Sequence, residues 1–150
     1  MSITLAQICD AIETTLATAT TVKRSESYDE LSEGIQDQPT LQVYPENGSQ
    51  SPPGATDRHT FGGGGTAGRQ TEFTIHADYY ARQRSHIGED MAALVDGIDA
   101  LQDVLEGQDQ KPYFGLDGLK AFSWRWDRVT FVYADVNYIG ARFVLLVRVF

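Results

Sequence analysis

Apolar and polar positions recur along this chain with two distinct periods, and the period separates helix from strand. Leu5, Ile8, Cys9, Ile12 and Leu16 fall at helical spacing behind Thr4, and Gln7 completes a capping box with it, so a helix is predicted over residues 4–18. Thr18, Thr20 and Thr21 are β-branched and suit a helix poorly; the chain is expected to leave it there, with a short strand through Val22 and loop over residues 25–33. Leu41, Val43 and Tyr44, entered through Pro39, predict a strand closed by Pro45. Phe73, Ile75, Ala77 and Tyr79 alternate with Thr74, His76, Asp78 and Tyr80, the pattern of a half-buried strand. Helical spacing returns at Ile87, Met91, Leu94, Ile98, Leu101 and Leu105, with Ser85 as cap and Gly107 as stop. Opposite that stripe stand Glu89, Asp96, Asp99, Asp103 and Glu106.

The remaining pattern is aromatic and β-branched. Phe122, Trp124 and Trp126 occupy even positions while Val129, Phe131 and Tyr133 occupy odd ones, so a bulge or strand break is expected near Asp127 and Arg128. Asp135 to Asn137 supplies a polar turn, and residues 139–150 are nearly all apolar apart from Arg142 and Arg148, as in a strand covered on both faces and lying inside the sheet. Residues 46–68 hold Pro52, Pro53 and seven glycines, among them Gly62, Gly63, Gly64 and Gly65, and predict one long loop. The element order gives an α+β fold in a single domain over residues 1–150: a mixed or mostly antiparallel sheet with two helices packed on it.

Composition narrows the function classes. With 41% hydrophobic residues the chain has enough apolar surface to fold. Twenty-one acidic residues against 12 basic ones leave a net charge of −9, which opposes a tight grip on a phosphate backbone. Cys9 is the only cysteine, so no intramolecular disulfide or multi-thiolate metal site is available, and a reducing cytoplasm is expected. Neither a secretory leader nor a membrane span is expected, since no apolar stretch reaches the roughly 20 residues that a span needs.

Candidate chemistry is sparse. The glycine run at 62–65 leads into a strand and lacks the Gly-Lys-Ser/Thr and helix of a phosphate-binding loop. His59, His76 and His86 are dispersed, and His76 is placed on the polar side of its strand. Asp78, Asp117 and Asp127 read as surface and turn carboxylates, and Cys9 as a buried, inert thiol. No cofactor, metal or catalytic residue is expected. Of Trp124 and Trp126, one is assigned to the core and one to an interface, with Arg125 and Arg128 beside them suited to subunit contact.

The chain resembles the tail terminator proteins of long-tailed bacteriophages, the family of the lambda-type tail terminator. The likeness spans the short first helix, the strand Leu41-Gln42-Val43-Tyr44-Pro45, the strand from Glu72 to Tyr80 and the helix after Ser85. It ends in a hairpin running from Arg128-Val129-Thr130-Phe131-Val132-Tyr133 into Tyr138-Ile139-Gly140-Ala141-Arg142-Phe143. The resemblance implies a structural, non-enzymatic protein. It would form a ring, usually of six copies, that caps the tail tube, ends tube polymerisation and meets the head-side connector or stopper protein. DNA would pass through the centre without specific binding. The implied location is the virion, at the head–tail junction, after assembly in the host cytoplasm. Candidate subunit or tube contacts are Arg58, Phe61, Arg69, Trp124 and Arg125, and the acidic stripe would face the lumen. The rival readings are a head-to-tail connector or neck subunit, and a small-molecule-binding domain or enzyme using the glycine run.

Overall fold

Residues 3–28, 39–50, 71–83, 87–133 and 135–149 are described by a computed structural model. Helix α1 (Leu5–Leu16) starts as its sequence dictates: the Gln7 N–H donates to Thr4 Oγ1 at 3.2 Å, and the Thr4 N–H donates to Gln7 Oε1 at 2.9 Å. It ends at Leu16, two positions inside the expected boundary, with Ala17 as its C-cap, and residues 17–21 turn. The strand expected through Val22 lies slightly later, as β1 (Arg24–Glu26), so two residues read as loop are paired instead. Serine side chains hold β1 against α1: Ser25 donates to Glu13, and Ser27 donates to Asp10 at 2.8 Å.

Strand β2 (Thr40–Gln50) runs straight through Pro45. Its partner β1 ends at Glu26, opposite Gln42, so beyond that point β2 has one strand neighbour among the described residues, and a missing N–H costs it no ladder bond on the vacated side. The ladder absorbs the proline as a register shift between Pro45 and Asn47, and residues 46–50, assigned to the loop from sequence, continue the pairing to Gln50 opposite Thr71. Phe73 lies against Gly48, where an added Cβ would sit 2.9 Å from the ring.

Strand β3 (Thr71–Gln83), helix α2 (Ile87–Glu106), a single 3₁₀ turn (Tyr113–Gly115), β4 (Leu119–Tyr133) and β5 (Val136–Val149) complete the order. Among the described residues five strands lie as β1-β2-β3-β5-β4, parallel between β1 and β2 and antiparallel elsewhere. This is the expected α+β architecture. Both helices and one face of the sheet share a single core, in which Ile8, Ile12 and Leu16 of α1 and Leu94, Leu101 and Leu105 of α2 meet Ile75, Tyr79, Phe143 and Leu145.

No bulge or break interrupts β4 near Asp127; its register shift lies between Leu119 and Ala121. The change of apolar phase has another cause. Trp124 and Trp126 pair with Leu145 and Phe143 on the helix-covered face, whereas Phe131 pairs with Tyr138 on the opposite face. There it joins Tyr80 in a small aromatic cluster, with Tyr80 and Phe131 centroids 4.3 Å apart. One regular strand thus serves two cores in turn. Gly140 permits this crossing: an added Cβ would lie 2.2 Å from the Tyr79 carbonyl and 2.6 Å from the Phe131 ring, beside the register shift between Tyr80 and Arg82.

Gly97 sets the approach of α2 to the sheet, since a Cβ there would meet the fully buried Tyr79 ring at 2.3–2.4 Å. Gly97→Ala is expected to lower stability by about 1–3 kcal/mol in urea denaturation. Gly88→Ala, with nothing within 4 Å of the new methyl, is expected to be neutral or stabilising.

Candidate functional site

Three surfaces are distinguished by their residues. The first is α2, whose exposed side carries Glu89, Asp96, Asp99, Asp103 and Glu106 within about 100° of helical arc. The helix holds no basic residue, and its last turn presents carboxylates where the helix dipole favours cations. The sixth acid, Asp90, is different: it is wholly buried, and the Arg82 Nε lies 3.0 Å from its Oδ1, tying α2 to β3.

The second is the outer edge of β4, which has no strand beyond it among the described residues. Trp124 is half-buried and packs on the core, its ring 6.3 Å from that of Phe143. Trp126 is 40% exposed, and its indole N–H donates to Gln102 Oε1 of α2 at 2.7 Å. Of the two tryptophans expected to divide between core and interface, Trp124, the one named as a candidate contact, packs on the core, and Trp126 is the one exposed. Trp124 lies over Leu145, deeper in the sheet's covered face, while Trp126 reaches the rim where α2 supplies an acceptor. Arg125 is exposed on the other face and forms an ion pair with Asp127.

The third surface is the helix-free face of the sheet, where a polar clamp crosses three strands. Arg142 of β5 donates from Nε to Asp78 Oδ1 at 2.8 Å and from Nη2 to Asp78 Oδ2 at 3.2 Å. The Tyr44 hydroxyl of β2 donates to Asp78 Oδ2 at 2.6 Å and accepts from Arg142 Nη2 at 3.3 Å. Asp78, assigned to the surface from sequence, is only 3% exposed, and a bidentate guanidinium makes that burial tolerable. Burial, then the hydrogen bond to Asp78, holds the Tyr44 hydroxyl well above the ordinary tyrosine range. The hydrogen bonds that Arg142 itself donates to Asp78 hold its guanidinium more firmly protonated than usual. Beside the clamp, the Tyr44 and His76 rings meet edge-on at 5.6 Å, and His76 Nδ1 stands 3.6 Å from Glu46 Oε2. With charge matched internally and both Asp78 oxygens occupied, the cluster works as a cross-strand brace.

Arg58, Phe61 and Arg69, the glycine run at 62–65, His59, His86 and the Ser85 cap all lie outside the described residues. Sequence reading missed the brace and the Arg82–Asp90 pair. Asp78 and Arg142 were each visible as polar positions within apolar strands, but only the β3–β5 register places them face to face. Among the described residues no group of three or more His, Cys, Asp and Glu side chains is placed to hold a metal ion, and no helix is long and apolar enough to cross a membrane.

Removing Arg142 leaves the Asp78 carboxylate buried and unmatched, so Arg142→Met is expected to cost on the order of 3 kcal/mol in urea denaturation. Tyr44→Phe removes both of the hydroxyl's charge-assisted hydrogen bonds, the one it donates to Asp78 and the longer one it accepts from Arg142, and is expected to cost about 1.5–3 kcal/mol. Cys9 is fully buried, and burial reinforced by Asp10 pushes its thiol up to about 11. Because the folded value is raised, the thiol's contribution is complete below the ordinary value of 9.0 and is lost as pH rises towards about 11. A thiol-reactive dye at pH 8 is expected to label Cys9 only upon unfolding.

No protein-family model and no curated protein matches the chain.

Proposed function

We propose that the protein is a structural subunit of the tail-terminator type, a non-enzymatic ring component that caps a tail tube at the head–tail junction and lets DNA pass. The observation that carries this reading is the charge on α2. A helix whose only task is to cover a sheet gains from Lys or Arg in its last turn, yet this one exposes Asp103 and Glu106 there in line with Glu89, Asp96 and Asp99. Such a face costs the helix stability and repels a polyanion, which suits the wall of a DNA passage. The two-helix, five-stranded architecture and the sequence resemblance point the same way.

In this role the acidic face lines the channel and the sheet supplies the contacts between neighbours. A connector or neck subunit would share the ring habit and differ in its partner.

Negative-stain imaging and light scattering of the protein, alone and with isolated tail tubes, test the reading. Closed rings, usually of six copies, are expected at high concentration or on tube ends. Rings that ignore tube ends and bind the head-side portal assembly would make the protein a connector. A species that never forms rings and leaves tubes uncapped would overturn both.

A further inference from the structure

We propose that the outer edge of β4 is a self-complementary docking strand, which pairs antiparallel with the β4 of a second copy in a register centred on Trp126. Four observations converge on it. First, β4 runs 15 residues without a proline or glycine and has no strand on its outer side among the described residues. An edge of that length and regularity is a ready template for another strand.

Second, the large apolar side chains left in solvent gather there. Among the described residues these are Tyr28, Val95, Trp126, Val132 and Leu146. Trp126 and Val132 belong to β4, and Leu146 is the β5 partner of Ser123. Val95, 49% exposed, lies on the α2 row between Met91, which accepts from Arg128, and Gln102, which accepts from Trp126. Trp126 and Val132 project from the helix side of β4 and Leu146 from the opposite face beside Ser123, so the β4 margin carries exposed apolar groups on both of its faces.

Third, the charges favour one register over its neighbours. Side chains directly opposite in an antiparallel pair share a face, so a two-fold axis through the edge must bring together residues of equal parity. Centred on Arg125, the pairing sets that guanidinium against its own copy; centred on Asp127, it does the same with two carboxylates. Centring on Arg128 repeats the clash with a third charge. Only the axis at Trp126 sets Arg125 opposite Asp127, twice by symmetry, because these residues flank Trp126 on either side.

Fourth, the other face agrees. Trp124 falls opposite Arg128 on the helix side, a cation beside an indole, and the two Trp126 side chains meet at the axis. The existing Arg125–Asp127 pair within each strand becomes part of a compact quartet of alternating charge. Charges on an edge usually deter pairing; here their order disfavours the registers centred on Arg125, Asp127 and Arg128 and rewards the one centred on Trp126.

The contact is isologous and closes on a pair, joining two five-stranded sheets into one. It is distinct from the head-to-tail contact that builds a ring and does not rest on the ring reading.

Three measurements on the full-length protein test it. Sedimentation and light scattering at about 0.1 M salt should show a concentration-dependent dimer that weakens as salt rises. Arg125→Asp or Asp127→Arg alone should weaken it about tenfold or more, since each places like charges opposite one another twice, while the double swap should restore it. Both residues are exposed, so circular dichroism should show each variant folded. In the third, Trp126→Cys in a Cys9→Ala background should form a disulfide-linked dimer on mild oxidation, and Arg125→Cys in the same background should lag behind. A wild-type monomer at every concentration, or single and double charge variants that behave alike, would overturn the proposal. If dimers form but rings never do, the ring reading fails and this one stands.

Discussion

The fold depends on β3 and β5 meeting in one register, because every other element takes its place from that pair. Strand β2 joins one side of it, β4 the other, and both helices lie on the face it presents. The register is held by complementary features on the two sides of the sheet. On the covered side Ile75, Ala77 and Tyr79 stand beside Leu145, Phe143 and Ala141, all fully buried. On the other side Asp78 meets Arg142 across the same ladder, with a bidentate bond between residues 64 apart in sequence. A slip of one residue would turn the apolar row outward and bury two unmatched charges, so both penalties guard the same alignment.

Much of this was legible before any coordinates. Apolar spacing located α1, α2 and the four longer strands, because period is a local property and needs no knowledge of partners. The errors share one physical source, namely that strand boundaries and strand faces are set by neighbours. Pro45 reads as a terminator, yet it is harmless where β1 has already ended. The phase change after Trp126 reads as a bulge, yet it marks where the apolar side of β4 passes from the main core to the Tyr80–Phe131–Tyr138 cluster. Likewise Asp78 reads as solvated until Arg142 is placed opposite it.

The two strongly acidic features of the molecule behave in opposite ways. Asp78 and Asp90 are buried and each is met by an arginine, so their charge is spent inside the structure. The five carboxylates on the outer side of α2 stay in water, and Asp103 and Glu106 in its last turn work against the dipole of their own helix. Their helix is held by tertiary contact: the Tyr79 ring against Gly97, and Leu94, Leu101 and Leu105 in the core. A surface so charged is maintained by the sheet beneath it.

The central place of β5 also governs when the molecule can become itself. It is the last of the five strands in chain order, yet it stands between β3 and β4. As the chain leaves the ribosome, β1, β2 and β3 can associate early, but the inner margin of β3 stays open until β5 follows. Throughout that interval a strand bearing Ile75, Ala77 and Tyr79 offers its free side to any passing chain. Its polar partner positions, Asp78 above all, then act as a temporary guard, since a stray strand lacking an arginine at the right rung would have to bury that carboxylate unpaired.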